Sequence, residues 1–600
     1  MILAALNDYY QRLLDDPDSG VALPGYSQET IGFAIVLNQN GGVVDVQDLR
    51  EKSGKKMVGK RLSVPASFKR PGIGSKPFFL WDKTSYSLGV GKDEARTQQN
   101  HEAFMGLHRA ALAGSDDPAL KALLVFLEAW KPEQFGKDEH FVRQGKEMLD
   151  ANVVFRLDGE KRYLHERPAA RELWEGMKGD DKSTDGFCLV TGERSKIARI
   201  HPSIKGIRGT DKAETSIVSF NKKSFESYGK DQGDNAPVSS SAAEAYTTAL
   251  NHLLRGKRQR IDIGDANVVF WAQAASKEAA EEGEDLLAAF FDPKDEDVQA
   301  TQRLHDALQL VRQGRPLRDL GAHLEDDTRI FVLGLAPNAS RLSIRFWETA
   351  TLARFAGRLA DHFDDLALKP TPWRRAPTPQ VLALATAPIY DGKAKADDIP
   401  PLLAGELARA VLTGARYPQS ILSTVVMRFR ADGQITGLRV ALCKGVLARA
   451  ARLGRKQGNP SKQGEPPMSL DSSCTDPGYL LGRLFSSLEN IQRAALGKQI
   501  NATIRDRYYG AASATPASIF PVLLRNVQNH LSKLRKEKAG LAVTLEKEIG
   551  QIVDALGTTF PRSLRIEQQG QFAIGYYHQT QARFAGNEVN EETESEGETA

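Results

Sequence analysis

The stretch "SFNKKSFESYGKDQGDNAPVS", residues 219 to 239, gathers groups that bind well and react poorly. It holds three lysines, two glycines, two asparagines, a glutamine and a tyrosine, with neither a helix period nor a strand alternation. Such a stretch is either a solvated surface loop or a segment kept to hold something. A second basic segment, "EKSGKKMVGKRLSVPASFKRPGIGSKPFFLWD" (51–82), interleaves Gly54, Gly59, Gly72 and Gly74 with Lys55, Lys56, Lys60, Arg61, Lys69, Arg70 and Lys76. Glycines let main-chain N–H groups and cationic side chains come close to phosphates. The order Gly-x4-Gly-Lys-Ser/Thr is missing, so a nucleoside triphosphate site is not indicated.

Groups that react are sparse. "LADHFDD" (359–365) sets His362 among Asp361, Asp364 and Asp365, the residue types of a metal-dependent nuclease. On a helix His362 and Asp361 point in different directions, and no second histidine-rich segment supplies further ligands. A charged helix end accounts for them without a metal. His201, before Pro202, has the chemistry of a general base, and a turn residue bonded to backbone accounts for it too. There is no Gly-x-Ser-x-Gly elbow, no HExxH and no cysteine with an evident histidine partner. Cys188, Cys443 and Cys474 lie too far apart for a metal knuckle and are a poor number for a disulfide framework. A reducing cytoplasm is the expected setting, with no metal and no cofactor.

At 600 residues the chain exceeds one hydrophobic core, and its 41% hydrophobic and 26% charged residues describe an ordinary soluble protein. No stretch approaches the roughly 20 apolar residues of a membrane span. The net charge of +4 is uninformative, but its distribution is not. From Arg50 to Lys76 nine Lys/Arg face one acid; from Gly433 to Gly464 seven face none; from Arg483 to Lys538 ten face three. The compensating acids lie apart, in 277–298 and in the tail 587–600. Segregation of this kind points to basic surfaces for a polyanion, with acidic regions in solvent.

The elements that must position these residues follow from periodicity. A helix is expected over 2–15, a strand ending at Asn40-Gly41-Gly42, helices over 95–150, a strand over 152–157 and a turn at Asp158-Gly159. "SSSAAEAYTTALNHLLRG" offers an N-cap serine and helical spacing, and "IGDANVVFWAQ" a strand. "RIFVLGLA" and "RLSIRFW" form a hairpin across "PNAS". Beyond it the pattern is almost wholly helical, broken by "KPTPWRRAPTP" (369–379) and by the hinge-like "GRKQGNPSKQGEPP" (454–467). Three strong helical periods then form a bundle, and the acidic tail is expected to be disordered. The fold class is α+β: a mixed N-terminal domain over 1–355, a helical connecting region and hinge over 356–467, and a helical bundle with its tail over 468–600.

Taken together, "LVTGERSKIARIHPSIKGIRGT", "SIVSFNKKSFESYGKDQGDNAPVS", "AAEAYTTALNHLL" and "GDANVVFWA" resemble the large subunit of the type I-C CRISPR surveillance complex (type I-C Cascade). "ILAALNDYYQRL", "VPASFKRPGIGSKPFFLWDKTSYSLG" and the helical C-terminus fit the same family, so the resemblance runs from residue 1 to about 590. It implies a non-enzymatic DNA-recognition subunit of an RNA-guided complex. Its N-terminal domain would read the protospacer-adjacent motif in duplex DNA and help open it. Its C-terminal bundle would lie beside small subunits and hold the displaced strand. The implied partners are guide RNA, the other subunits of the complex, target duplex, and a helicase–nuclease recruited afterwards, with no membrane. Base pairing reads the long sequence, while protein reads a few flanking pairs and holds backbones by charge.

Under that resemblance Lys55, Lys56, Lys60, Arg61, Lys69, Arg70, Gly72, Gly74 and Lys76 are the first candidates to touch the duplex flank. Asn221, Gln232 and Asn235 are candidates to read base edges, Lys222, Lys223 and Lys230 to hold phosphates, and Tyr228 to stack. The opposing reading is a structural loop whose amides satisfy backbone groups. For the displaced strand the bundle offers Arg483, Arg493, Lys498, Arg505, Arg507, Arg525, Lys533, Arg535, Lys536 and Lys538, with Tyr508 and Tyr509 as stacking platforms. Type I-C systems make their small subunit from an internal start in the large-subunit gene. Met468 would begin a 133-residue product here, behind Gln463-Gly464-Glu465, codable as CAA-GGA-GAG, a ribosome-binding sequence. Met427 competes, but lies inside a helical pattern. The enzymatic alternative is a nuclease or guide-processing activity centred on His362 or His201.

Overall fold

A computed structural model describes residues 1–53, 56–68, 70, 75–92, 96–177, 185–209, 215–263, 265–291, 298–338, 341–400, 402–459, 464–497 and 500–597. The chain divides into unit 1, Met1–Gly256 with Pro337–Ser343, and unit 2, Lys257–Ala336 with Ile344–Ala600. Unit 1 begins with α1 (Ile2–Leu14), which buries Ala5, Leu6, Tyr9, Tyr10 and Leu13 along one face. The strands that follow are β1 (Tyr26–Ile31), β2 (Phe33–Leu37), β3 (Val43–Asp48), β4 (Glu51–Ser53), β5 (Lys56–Val58), β6 (Lys60–Pro65), β7 (Trp81–Lys83) and β8 (Asn152–Leu157). β1 pairs antiparallel with β6, and β4 with β5. A four-stranded sheet runs β3-β2-β8-β7. Its inner pair, β2 and β8, is parallel. Every residue of β2 is buried, which is why it reads as the unbroken apolar run "FAIVL".

Between β7 and β8 lie α2 (Thr84–Ser87), α3 (Thr97–Leu112), α4 (Pro118–Ala129) and α5 (Glu139–Val142). From them Phe104, Leu120, Leu123 and Phe126 join Phe33, Ile35 and Phe155 in one core. After β8 come α6 (Pro168–Met177), the antiparallel pair β9 (Asp185–Phe187) and β10 (Arg194–Lys196), and α7 (Ser240–Arg255), which packs on α1. Ser239 caps α7 as expected, its hydroxyl accepting from Ala242 N at 3.2 Å.

Unit 2 opens with a sheet in the order β11 (Arg260–Ile263), β12 (Ala266–Gln273), β13 (Arg329–Asn338), β14 (Arg341–Thr351), with α8 (Lys277–Phe291) and α9 (Val298–Arg312) between β12 and β13. The remainder is helical: α10 (Leu352–Leu366), α11 (Pro379–Leu384), α12 (Leu403–Thr413), α13 (Gln419–Asp432), α14 (Gly437–Lys456), α15 (Pro477–Leu496), α16 (Ile504–Ala514), α17 (Pro516–Glu537), α18 (Ala539–Leu556) and α19 (Ile566–Gly597). The α+β class is therefore correct. α15 and α19 cross with their backbones touching. A Cβ on Gly482 would sit 2.0 Å from Phe572 O, and one on Gly575 2.1 Å from Tyr479 O. The line at 355/356 falls inside α10, and Met468 O accepts from Lys369 N at 2.8 Å. Among the described residues no helix is long and apolar enough to cross a membrane.

One expectation from charge changes here. The run from Gly433 to Gly464, expected as a basic surface, sends Arg439, Lys444 and Arg449 into the interior, each at most 1% exposed. Arg449 Nε donates to buried Asp365 at 2.6 Å, Arg439 Nη2 to Asp432 at 2.6 Å, and Lys444 Nζ to Asp365 O at 3.0 Å. Their acidic partners lie outside the counted window, so local charge counting missed them. α19 extends to Gly597.

Candidate nucleic-acid interface

The 219–239 stretch is irregular, as expected, but it is firmly built. Pro237 O accepts from Leu189 N at 2.9 Å, Val238 O from Ala198 N at 2.8 Å, and Arg199 O from Gly233 N at 3.1 Å. Gly233 lies so close to the neighbouring segment that a Cβ would stand 2.0 Å from Ala198 O. Any other residue would push the loop off its support.

The three amides are each tied to a neighbouring group. Asn235 Oδ1 accepts from Ser227 N at 3.1 Å, and its Nδ2 donates to Lys230 O at 2.9 Å and Gln232 O at 3.1 Å. Gln232, at φ +44°, accepts from Arg199 Nε at 3.0 Å. Asn221 Oδ1 accepts from Arg341 Nη2 at 2.8 Å, and that guanidinium lies 4.2 Å over the Phe225 ring. All three are engaged in holding the loop, Asn235 on backbone groups and Gln232 and Asn221 on arginine side chains. Arg199 and Arg341 were missed in the sequence. Arg341 is 120 positions from Asn221 and carried no local signal.

What the scaffold presents is a two-residue turn. Lys230 N donates to Ser227 O at 3.0 Å, with Tyr228 at φ +55° and Gly229 at φ +69°. Two successive left-handed residues make a type I′ turn, a conformation a tyrosine rarely adopts unaided. Tyr228 is 98% exposed. Lys222, Lys223 and Lys230 are exposed, and their ammonium groups have no partner among the described residues. Beneath the loop, burial pushes the Cys188 thiol up, but hydrogen bonds from Ser239 and Thr191 outweigh it and bring it to about 7.

In the 55–76 segment, Lys55, Lys69, Gly72 and Gly74 lie outside the described residues. Lys56, Lys60, Arg61 and Lys76 are exposed, Lys60 and Arg61 on β6 opposite Ile31 and Thr30 of β1. Arg70 is different. Its Nη2 donates to Asp82 Oδ1 at 2.6 Å and its Nε to Lys76 O at 2.8 Å, and it stacks 4.0 Å from Phe78 and 3.8 Å from Tyr86. Asp82 is wholly buried and also accepts from Phe78 N at 2.8 Å. Burial raises its carboxyl to about 6 against the pull of Arg70. Arg70 thus anchors the segment instead of reaching out of it.

The bundle sorts its cations likewise. Arg483 is buried on α15 and donates to Gln579 Oε1 at 2.9 Å. Arg493 pairs with Glu489 at 2.8 Å, Arg505 with Asp506 at 3.8 Å, Lys533 with Glu537 at 3.9 Å, and Arg535 with Glu546. Lys498 lies outside the described residues. Arg507, Arg525, Lys536 and Lys538 are exposed with no ionic partner among the described residues. Tyr509, expected as a platform, is buried against Phe485 and Phe572, and Tyr508 is packed on the same core.

Neither histidine is placed for catalysis. His362 is fully buried, its Nδ1 hydrogen-bonded to the Tyr417 hydroxyl, and burial lowers it to about 3. His201 Nδ1 lies 2.7 Å from the Tyr246 hydroxyl, not on backbone as expected, and burial brings it to about 4. Among the described residues no group of three His, Cys, Asp or Glu is placed to hold a metal ion.

Comparison with known families places the chain among CRISPR-associated proteins. The family model for CRISPR-associated protein (Cas_Csd1) matches residues 6–584, and the chain belongs to that family, the large subunit of type I-C Cascade. No curated protein matches it. Other subunits of a CRISPR complex are accordingly its partners.

Proposed function

We propose that this subunit reads the protospacer-adjacent motif in target duplex, helps open it and holds the displaced strand, without catalysis of its own. The observation that carries the reading is the Ser227–Lys230 turn, which holds an exposed tyrosine in one loop with three lysines that have no partner among the described residues, on a scaffold of hydrogen-bonded amides. An aromatic ring on a rigid tip can enter or stack on an opened base step, while lysines hold the flanking phosphates. Lys56, Lys60, Arg61 and Lys76 extend the duplex contact, with Lys55, Lys69, Gly72 and Gly74 as further candidates. Base-edge reading by Asn221, Gln232 or Asn235 requires them to leave their present partners.

The displaced strand runs along the outer face of α17. Arg525 and Lys536 lie about 16 Å apart there at 1.5 Å per residue, joined by Lys538 and Arg507. Guide RNA and the recruited helicase–nuclease complete the set of partners. Residues 1–355 serve flank recognition, 356–467 connect, and 468–600 are the small-subunit-like part, also made separately from Met468. Intact-mass measurement of the complex should find a chain beginning there, and its absence removes that element. The enzymatic alternative is disfavoured because His201 and His362 are buried and neutral. Metal-dependent cleavage by the purified chain, lost in His362→Ala, would reinstate it.

The deciding experiment assembles the complex with Tyr228→Ala, or with Lys222, Lys223 and Lys230 all replaced by alanine, on a duplex whose flanking motif is intact or scrambled. The lysine variant should lower the slope of log K against log salt by about 0.9 for each lost phosphate contact. The tyrosine variant should still bind but open the duplex poorly, read by permanganate reactivity of unpaired thymines. Wild-type opening and binding by both variants overturns the reading.

A further inference from the structure

Unit 2 carries an open pocket of about 550 Å³ that none of the foregoing uses. The Pro-rich stretch 369–379, read in the sequence as a linker, forms one wall. Its Pro372 is pressed onto the start of α14, where a Cβ on Gly437 would stand 2.3 Å from Pro372 Cβ. The start of α11 is held behind it by Thr378, whose hydroxyl accepts from Val381 N at 3.3 Å. The strap is therefore seated on the start of α14.

Ile261, Phe291 and Leu438 supply apolar surface to the pocket, and Trp373 lies on the strap among them. Trp373 is half-buried, and its indole N–H has no partner among the described residues. Asp262 and Gln380 reach the lining, and Arg375 contributes to the same wall. The neighbouring Arg374 is exposed, with no ionic partner among the described residues.

We propose that this pocket takes one unstacked nucleobase of a single-stranded nucleic acid, stacked on Trp373, with the adjoining phosphate on Arg374. The volume lies within the range for small ligands of about 300–1,000 Å³. A flat aromatic with guanidinium groups beside it suits a base joined to a phosphate. Asp262, paired with Arg260 at 3.4 Å, and Gln380 place polar groups at the pocket's lining. The inference rests on the chain handling nucleic acid, but it assigns a site away from the unit 1 loop and the α17 face.

The test uses the full chain and a mixed-sequence single-stranded DNA oligonucleotide carrying 5-iododeoxycytidine, photo-crosslinked and mapped by mass spectrometry. The expected adduct is on Trp373, with single-strand affinity about tenfold weaker in Trp373→Ala, one stacked base. Arg374→Glu, at an exposed position whose change spares the fold, should remove the adduct and reduce the salt slope by about 0.7 or more. Adducts confined to other peptides, with unchanged affinity in both variants, overturn the pocket while leaving the unit 1 reading intact. Loss of all DNA binding after triple lysine replacement in unit 1, with no Trp373 adduct in the unmodified chain, also overturns it. Binding of a proline-rich peptide in the pocket, displaced by no oligonucleotide, assigns the site to a protein partner and overturns it as well.

Discussion

At the scale of single residues, availability separates the basic side chains more sharply than position does. Arg70 and Lys76 lie six residues apart in one basic segment, yet one is engaged and the other free. Replacing Arg70 by alanine leaves the Asp82 carboxylate buried and unpaired, and should cost about 3 kcal/mol in chemical denaturation. Lys76→Ala should stay within about 0.5 kcal/mol. Loss of DNA binding in an Arg70 variant would thus report a displaced segment. The same distinction shows what was legible in the sequence. Tyr228, Lys222, Lys223 and Lys230 could be singled out as candidates because turn chemistry and charge are local signals. The inward role of Asn235 was open, since an amide alone does not say whether its partner is a base or a carbonyl. Arg483 and Tyr509 were misplaced because their burial depends on α19, whose packing no window around them contains.

At the scale of elements, periodicity served well where one face alone is buried. α1, α7, β8 and the β13–β14 hairpin lie where apolar spacing and turn residues put them. Charge runs served poorly on α14, because a helix buried all round hides its cations among distant acids. The α15–α19 crossing depends on the absence of side chains at Gly482 and Gly575. Gly482→Ala must push Phe572 O away from a 2.0 Å approach, and should cost at least about 1–3 kcal/mol, read as a lower thermal midpoint. An alanine at Gly550, where nothing stands within 4 Å, should be neutral or slightly stabilising by helix propensity.

Over the whole molecule, buried histidines set the response to acid. His108, His165, His201 and His578 are brought by burial to about 4, and His362 to about 3, from an ordinary 6.5. Each therefore stays neutral in the folded chain while the unfolded chain takes up its proton below pH 6.5. Their contribution is full above that pH and is lost as pH falls, by up to about 1.4 kcal/mol per pH unit for each wholly buried ring. Asp82, raised to about 6, acts oppositely, as do Glu348 and Asp476, raised by burial, while His101, His252 and His530 are lowered and act with the five. The thermal midpoint should fall steadily from pH 7 to pH 5. His362→Gln should flatten that slope, and an unchanged slope would remove His362 from the account.

The path of the chain adds one last consequence. The tip of the β13–β14 hairpin is counted with unit 1, while its stem is counted with unit 2. Arg341, which grips Asn221 and Phe225, arrives on that tip. A ribosome therefore releases the loop's residues long before it makes the residue that clamps them. The Asn221 end of the loop is clamped only once residue 341 has been made, and a nascent chain paused short of Pro337 carries the lysines and Tyr228 without the clamp that holds Asn221.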